Sequence, residues 1–156
     1  MYGNEKLPGV STSQQYRNEG SLWQGSPSST WFKTVKVNGS SSEAEEISYG
    51  TIMKELTDGT YTPISEADIV SAVENLPGSR LAIVADNSAK TGTTTTQDEE
   101  TITTPSSVLV GICGQVDKGR LLIGDKDFTE LTDDQQISLN VQLEAWGFQL
   151  ISVQQA

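Results

Sequence analysis

The stretch "SSVLVGICGQVDKGRLLI", residues 106–123, is the most apolar part of the chain and holds its only cysteine, Cys113. Alternation through "SVLVGICGQV" puts Val108, Val110, Ile112, Gly114 and Val116 on one face, with Leu109, Gly111 and Cys113 on the other. Both faces are small or apolar, the pattern of a strand covered on both sides. A thiol in such a strand behaves as a small hydrophobe, because burial opposes thiolate formation. Cys113 is therefore expected in the core and not as a nucleophile.

Composition narrows the chemistry around that strand. There is no histidine, which removes Cys-His and Ser-His pairs and every His-ligated metal site. A single cysteine forms no internal disulfide and no multi-cysteine zinc site. At 156 residues the chain is one domain, or one domain with an appendage, and long enough to bury a sizeable core. A net charge of −11 argues against nucleic acid, whose phosphates demand a basic patch. The ten Lys and Arg residues are scattered singly, so no basic run addresses an anionic membrane. No stretch approaches the ~18 apolar residues needed to span a bilayer. The start "MYGNEKLPGV" has neither the basic region nor the apolar core of a signal peptide.

Two regimes follow one another along the chain. Residues 1–46 are rich in Ser, Gly, Asn, Gln and Thr and poor in aliphatics, and are expected to form an extended N-terminal arm. Trp23, Trp31 and Phe32 sit in this segment, where aromatics serve to anchor an interface. The competing reading makes "TWFKTVKV" an edge strand of the body, since Val35 and Val37 alternate and Asn38-Gly39 marks a turn.

Residues 47–156 read as a β-rich domain. "ISYGTIMKELTDGTYTPI" gives two short strands joined at Asp58-Gly59. Ser65, with Asp68 at the reciprocal position, caps a short helix over 66–75 whose stripe is Ile69, Val70, Val73 and Leu76, closed by Pro77-Gly78. "RLAIVAD" is a strand, and "NSAKTGTTTTQDEETITT" a polar loop or exposed hairpin. Thr132 and Gln135 form a capping box for a second helix, with Asp133 and Asp134 favourably placed on its dipole. Ile137, Val141 and Ala145 line its stripe; Leu139, Leu143 and Trp146 widen it. Gly147 stops the helix, and "FQLISV" returns as a final strand. The fold class is mainly β: a small barrel- or sandwich-like domain with two short peripheral helices.

No reactive constellation stands out. Asp125 and Asp127 in "GDKDFTE" lack the glycine and later ligands of a calcium loop. The acidic runs "SEAEE" (42–46) and "QDEE" (97–100) read as solubilising charge, and "DNSAKTG" lacks the spacing of a phosphate loop. Catalytic residues, metal ligands and cofactors are expected to be none.

The order of segments resembles a known group: "YGTIMKELTDGTYTPI", then "LAIVADN", then "VLVGICGQVDKGRLLI", then a helix closed by "LEAWGFQLISV". Over about residues 48–156 the chain is similar to the head decoration proteins of tailed bacteriophages, the family typified by the lambda capsid stabiliser. The resemblance implies a homotrimer on the outer surface of the phage head, made in the host cytoplasm, that binds the major capsid protein and cements the expanded shell. It also implies an N-terminal arm that pairs with the capsid; the anchors expected here are Leu22, Trp23, Trp31, Phe32, Val35 and Val37. The arm is longer than the family leads one to expect, and the Thr-rich 88–104 stretch reads as an insertion. Two other classes stand beside this one. A head fibre or glycan-binding virion protein would show exposed tryptophans, and a β-rich hydrolase would need two carboxylates converging in a cleft.

Overall fold

The computed structural model describes residues 22–25, 30–69 and 79–153. In chain order the strands are β1 (Trp23–Gln24), β2 (Trp31–Val37), β3 (Ile52–Glu55), β4 (Tyr61–Pro63), β5 (Leu81–Val84), β6 (Thr93–Gln97), β7 (Glu100–Thr104), β8 (Ser106–Asp117), β9 (Leu122–Ile123) and β10 (Lys126–Asp127). The helix α1 (Asp133–Ala145) and the strand β11 (Phe148–Ile151) complete the described chain. The protein is mainly β, with single 3-10 turns at Glu66–Asp68, Lys118–Arg120 and Phe128–Glu130.

The apolar stretch quoted first is β8, and the sheet is built around it. β2 runs antiparallel to β8 along its whole length, from Trp31 opposite Cys113 to Val37 opposite Ser106. At Val37 it meets Tyr61 of β4. β3 pairs with β4 on one side and β5 on the other, and β5 returns to β8 through Ile83–Gly111 and Val84–Val110. The strands thus close a ring in the order β8-β2-β4-β3-β5. The β3–β4 turn forms because Gly59 takes φ +88° and the Asp58 carboxylate accepts from the Thr60 amide at 2.9 Å. Side chains facing inward fill the ring: Val35, Val37, Met53, Tyr61, Val108 and Val110 are all buried in one cluster.

A second core lies outside the ring. Ile52 and Ile83, on the opposite side of the pleat from Met53 and Ala82, pack with Leu22, Leu139, Leu143 and Phe148. β8 serves both cores by changing direction at Gly114, whose φ of +139° no residue with a side chain adopts readily. Before that point Val108 and Val110 face into the ring; after it Val116 belongs to the outer core. The far half of β8 pairs antiparallel with β1, Trp23 opposite Val116, and parallel with β11, Phe148 opposite Gly114. α1 supplies the crossover that a parallel pair requires. Its cap is reciprocal: Thr132 Oγ1 accepts from the Gln135 amide at 3.2 Å, and Gln135 Oε1 accepts from the Thr132 amide at 3.1 Å.

The structure corrects several expectations. The boundary at residue 46 does not divide an arm from a body, because β1 and β2 are strands of the same sheet as β8. Leu22 is 1% exposed, and Val35 and Val37 point into the ring, so three of the expected capsid anchors are spent on the protein's own cores. The arm reading of residues 1–21 and 26–29 lies outside the described residues. Val108 and Val116 do not share one face, since Gly114 and a register slip opposite Trp31/Phe32 intervene. Leu109 is exposed and Cys113 only half-buried, so the second face of β8 is covered at Gly111 but open on either side of it.

The helix faces also differ from the reading of the stripe. Leu139 and Leu143 face the core, whereas Ile137 is 63% exposed and Ala145 is exposed too. Of the helix expected over 66–75, the described part is one 3-10 turn, after which Ile69 is extended with ψ 99°. The Ser65–Asp68 cap is present, Asp68 Oδ2 accepting from the Ser65 amide at 2.8 Å; Val70, Val73, Leu76 and Pro77-Gly78 lie outside the described residues. The polar 93–104 stretch is a hairpin of β6 and β7, and the final strand forms as expected.

A Cβ placed on Gly111 would overlap the Trp23 indole. Gly111→Ala is therefore expected to cost about 1–3 kcal/mol of unfolding free energy, as overpacking does. Chemical denaturation of this variant alone and combined with Trp23→Leu checks it, because the smaller side chain should recover much of the loss.

Candidate interaction surface

The outer wall of the β2–β8 pair carries the largest exposed apolar groups of the described chain. The register slips by one residue between Trp31 and Phe32, so that Trp31 lies opposite Cys113 and Phe32 opposite Gly111. Those two β8 positions sit on the same side of the pleat, which brings consecutive aromatics to one wall. Trp31 is 64% exposed and Phe32 45% exposed, and Leu109 lies exposed on the same wall. Phe32 is held from beneath: its ring meets the Trp23 indole edge-on, centroids 5.2 Å apart, and Trp23 in turn leans on Phe148 at 6.4 Å. The wall is thus an outward extension of the outer core, fixed in place by a half-buried tryptophan.

The lysines of β2 divide between the two sides of the strand. β2 contains Lys33 and Lys36 and no acid, and the facing residues 106–113 of β8 carry no charge. Lys36 Nζ donates to Ser107 Oγ at 2.7 Å, and Lys33 Nζ lies 5.5 Å from the centre of the Tyr61 ring. Lys36 thus lies on the wall's side of the pleat, whereas Lys33, opposite the buried Val110, lies on the side of Val35 and Tyr61.

At the far end of the same strand pair stands the β6–β7 hairpin. Its base is tied down by the Gly92 amide donating to the Val37 carbonyl at 3.0 Å and by the Thr94 amide donating to the Ser41 carbonyl at 2.8 Å. Its tip is Asp98-Glu99, both with positive φ (51° and 65°), the two-residue turn whose twist suits a hairpin. Every residue from Thr95 to Thr104 is exposed, including Ile102.

Several of the other carboxylates are engaged in local structure. Hydrogen bonds from Lys126 and then Gln135 hold Glu66 below its usual range. Burial pushes Asp68 up, but the Lys54 ammonium and the Ser65 amide outweigh it and leave the carboxyl below its ordinary value. Asp58 and Asp86 are lowered by the hydroxyls and amides of Thr60 and Ser88. Among the described residues no three His, Cys, Asp or Glu side chains gather where they could hold a metal. The concavity beside α1, about 170 Å³, is lined by Lys118, Phe128, Gln136, Ile137, Asn140 and Leu150, without a carboxylate.

Of the residues singled out in the sequence, the structure brings Trp23, Trp31 and Phe32 together at one wall and withdraws Leu22, Val35 and Val37 into the cores. Sequence reasoning missed Leu109 and Lys36 as members of this surface, while the exposed hairpin was one of the two forms expected for the Thr-rich stretch. Lys36 was findable: it follows Val35 at the position where a half-buried strand turns toward water. The slip that pairs two aromatics on one wall has no signal in β2 itself. Comparison with known protein families, curated proteins and solved structures finds no match.

Asp68 and Glu66 titrate below their ordinary values of 3.8 and 4.5. A lowered carboxyl contributes stability that is present above its unfolded value and is lost as pH falls through its folded one. Unfolding free energy is therefore expected to decline progressively from roughly pH 5 to pH 2. Lys54→Ala should shrink that decline, and denaturant titrations of both proteins at stepped pH check it.

Proposed function

We propose that this chain is a capsid decoration protein of a tailed-phage head, a barrel-like body that seats on the outer shell surface as a trimer and cements the major capsid protein lattice. The observation that supports this reading is the Trp31–Phe32 wall: both cores are filled by the chain's own side chains, and large aromatics are still left facing out. Apolar area of that kind marks a protein-binding surface. The class of partner rests on the resemblance of the segment order to the decoration family.

Cementing needs no bond chemistry. A protein that binds only the expanded lattice stabilises it by mass action, and three linked subunits make modest single contacts tight. In this reading the shell contact belongs to residues 1–21, polar and rich in Ser, Gly and Gln. The described residues from Leu22 onward belong to the body. A strand added to a capsid sheet edge would give that segment register, and side chains would give it affinity.

A glycan-binding head fibre is the second reading, and the 64% exposure of Trp31 favours it, since an open indole face suits a sugar ring. Glycan-array binding that is lost in Trp31→Ala, together with no binding to shells, would select it.

Deleting residues 1–21 is expected to leave a folded body with at least about tenfold weaker binding to undecorated expanded shells, as loss of one linked contact set predicts. Deleting residues 1–30 removes Leu22 and β1 as well and is expected to destabilise the body outright. Occupancy measured by cryo-electron microscopy at matched concentration, with circular dichroism of the free proteins, checks both. Equal occupancy for the shorter deletion and the full chain would move the shell contact to the body.

A further inference from the structure

We propose that β1 is a latch held shut by Phe32, so that contact on the Trp31–Phe32 wall is coupled to the anchorage of the chain that precedes Leu22. This rests on the reading of that wall as a protein-binding surface and adds what binding there does to the body.

The latch is short. β1 is two residues long, and among the described residues it pairs with β8 alone, Trp23 opposite Val116 and Gln24 opposite Gln115. β11 takes the other side of β8 at the same level, Leu150 opposite Val116, so β1 is the edge strand there. One further backbone bond fastens it, the Asp117 amide donating to the Leu22 carbonyl at 2.8 Å. So few backbone bonds leave the seating of β1 to its side chains.

Those side chains are gripped from two directions. Leu22 enters the outer core, and Trp23 leans on Phe148. From the other direction the indole meets Phe32 edge-on as it closes over Gly111. β2 is paired with β8 from Trp31 to Val37 without help from β1, so Phe32 keeps its place whether or not β1 is seated. It is the fixed stop against which the indole closes.

Coupling follows from what changes at the wall when β1 is released. Only the seated strand gives Phe32 an indole beneath it. A partner that covers Phe32 meets a supported ring in one state and an unsupported ring in the other, so it favours the seated state. The preference is reciprocal: whatever holds β1 in place raises affinity at the wall by the same factor. The chain before Leu22 joins the body at this strand, so the wall and the N-terminal segment act on one equilibrium.

Amide hydrogen exchange of the full chain, followed by NMR in solution without shells, reads the latch directly. The Asp117 amide is covered by β1, whereas the Val84 amide donates to the Thr51 carbonyl at 2.9 Å and is not. In the parent, Asp117 should exchange at least about tenfold faster than Val84, as a local opening does. Phe32→Leu keeps an apolar side chain and removes the ring. It should speed Asp117 by about threefold to tenfold, the effect of losing an edge-to-face pair, and move Val84 by less than about twofold. Trp31→Ala should leave both amides within about twofold of the parent. Equal exchange at Asp117 and Val84 in the parent overturns the proposal, since β1 would then open only with the whole fold. So does an unchanged Asp117 in Phe32→Leu, a rise shared equally by Val84, or an equal effect from Trp31→Ala. Failure here leaves the capsid reading standing, and failure of shell binding leaves the latch standing, because no shell enters this measurement.

Discussion

The Trp23 indole lying over Gly111 is the contact on which the arrangement turns. Only a residue without a side chain lets a tryptophan settle against the strand at that point. From there the indole touches Phe148 of the outer core on one side and Phe32 of the exposed wall on the other. It couples what is inside to what is offered to a partner. A wall of aromatics held this way meets a partner pre-ordered, and less rotamer freedom is lost on contact.

Two cores in so short a chain are possible because one strand serves both. β8 runs twelve residues, and its valines switch allegiance at Gly114 from the ring interior to the outer core. A flat alternating strand of that length would need a continuous layer on each side. The turn in the strand replaces that layer with two compact clusters, each closed by different elements. The outer cluster is where α1, β1 and β11 join, and it gives the N-terminal tryptophan a place to pack.

Most of the strands were legible in the sequence because they rest on local signals. Asp58-Gly59 marked the β3–β4 turn, Thr132 and Gln135 marked the start of α1, and Gly147 marked its end. What alternation alone did not reveal depends on distant partners. β1 is two residues long, and its serine-, glycine- and glutamine-rich surroundings hide a strand made by pairing with β8. The stripe of α1 was read onto Ile137, Val141 and Ala145 with Leu139, Leu143 and Trp146 widening it, and of these the fold buries Leu139 and Leu143 and leaves Ile137 and Ala145 exposed. As for the interaction surface, the aromatics were visible in the sequence, but their separation into buried and exposed members was not. That separation depends on a one-residue slip in register and on a glycine in the facing strand.

The position of β8 late in the chain has a consequence for how the protein is made. The β3–β4 and β6–β7 hairpins close between sequence neighbours and can form as the chain emerges from the ribosome. β1 and β2 find their partners only once Ser106–Asp117 is synthesised, and β11 comes later still. Until then Trp23 lacks Gly111 and Phe148 beneath it, and the cores that hold Leu22 and Val35 are incomplete. A topology dominated by such distant pairings folds slowly and keeps sticky surface open while it waits. Folding of the body therefore waits for β8, and the crowded interval before it arrives is when this acidic chain most needs its charge to keep copies apart.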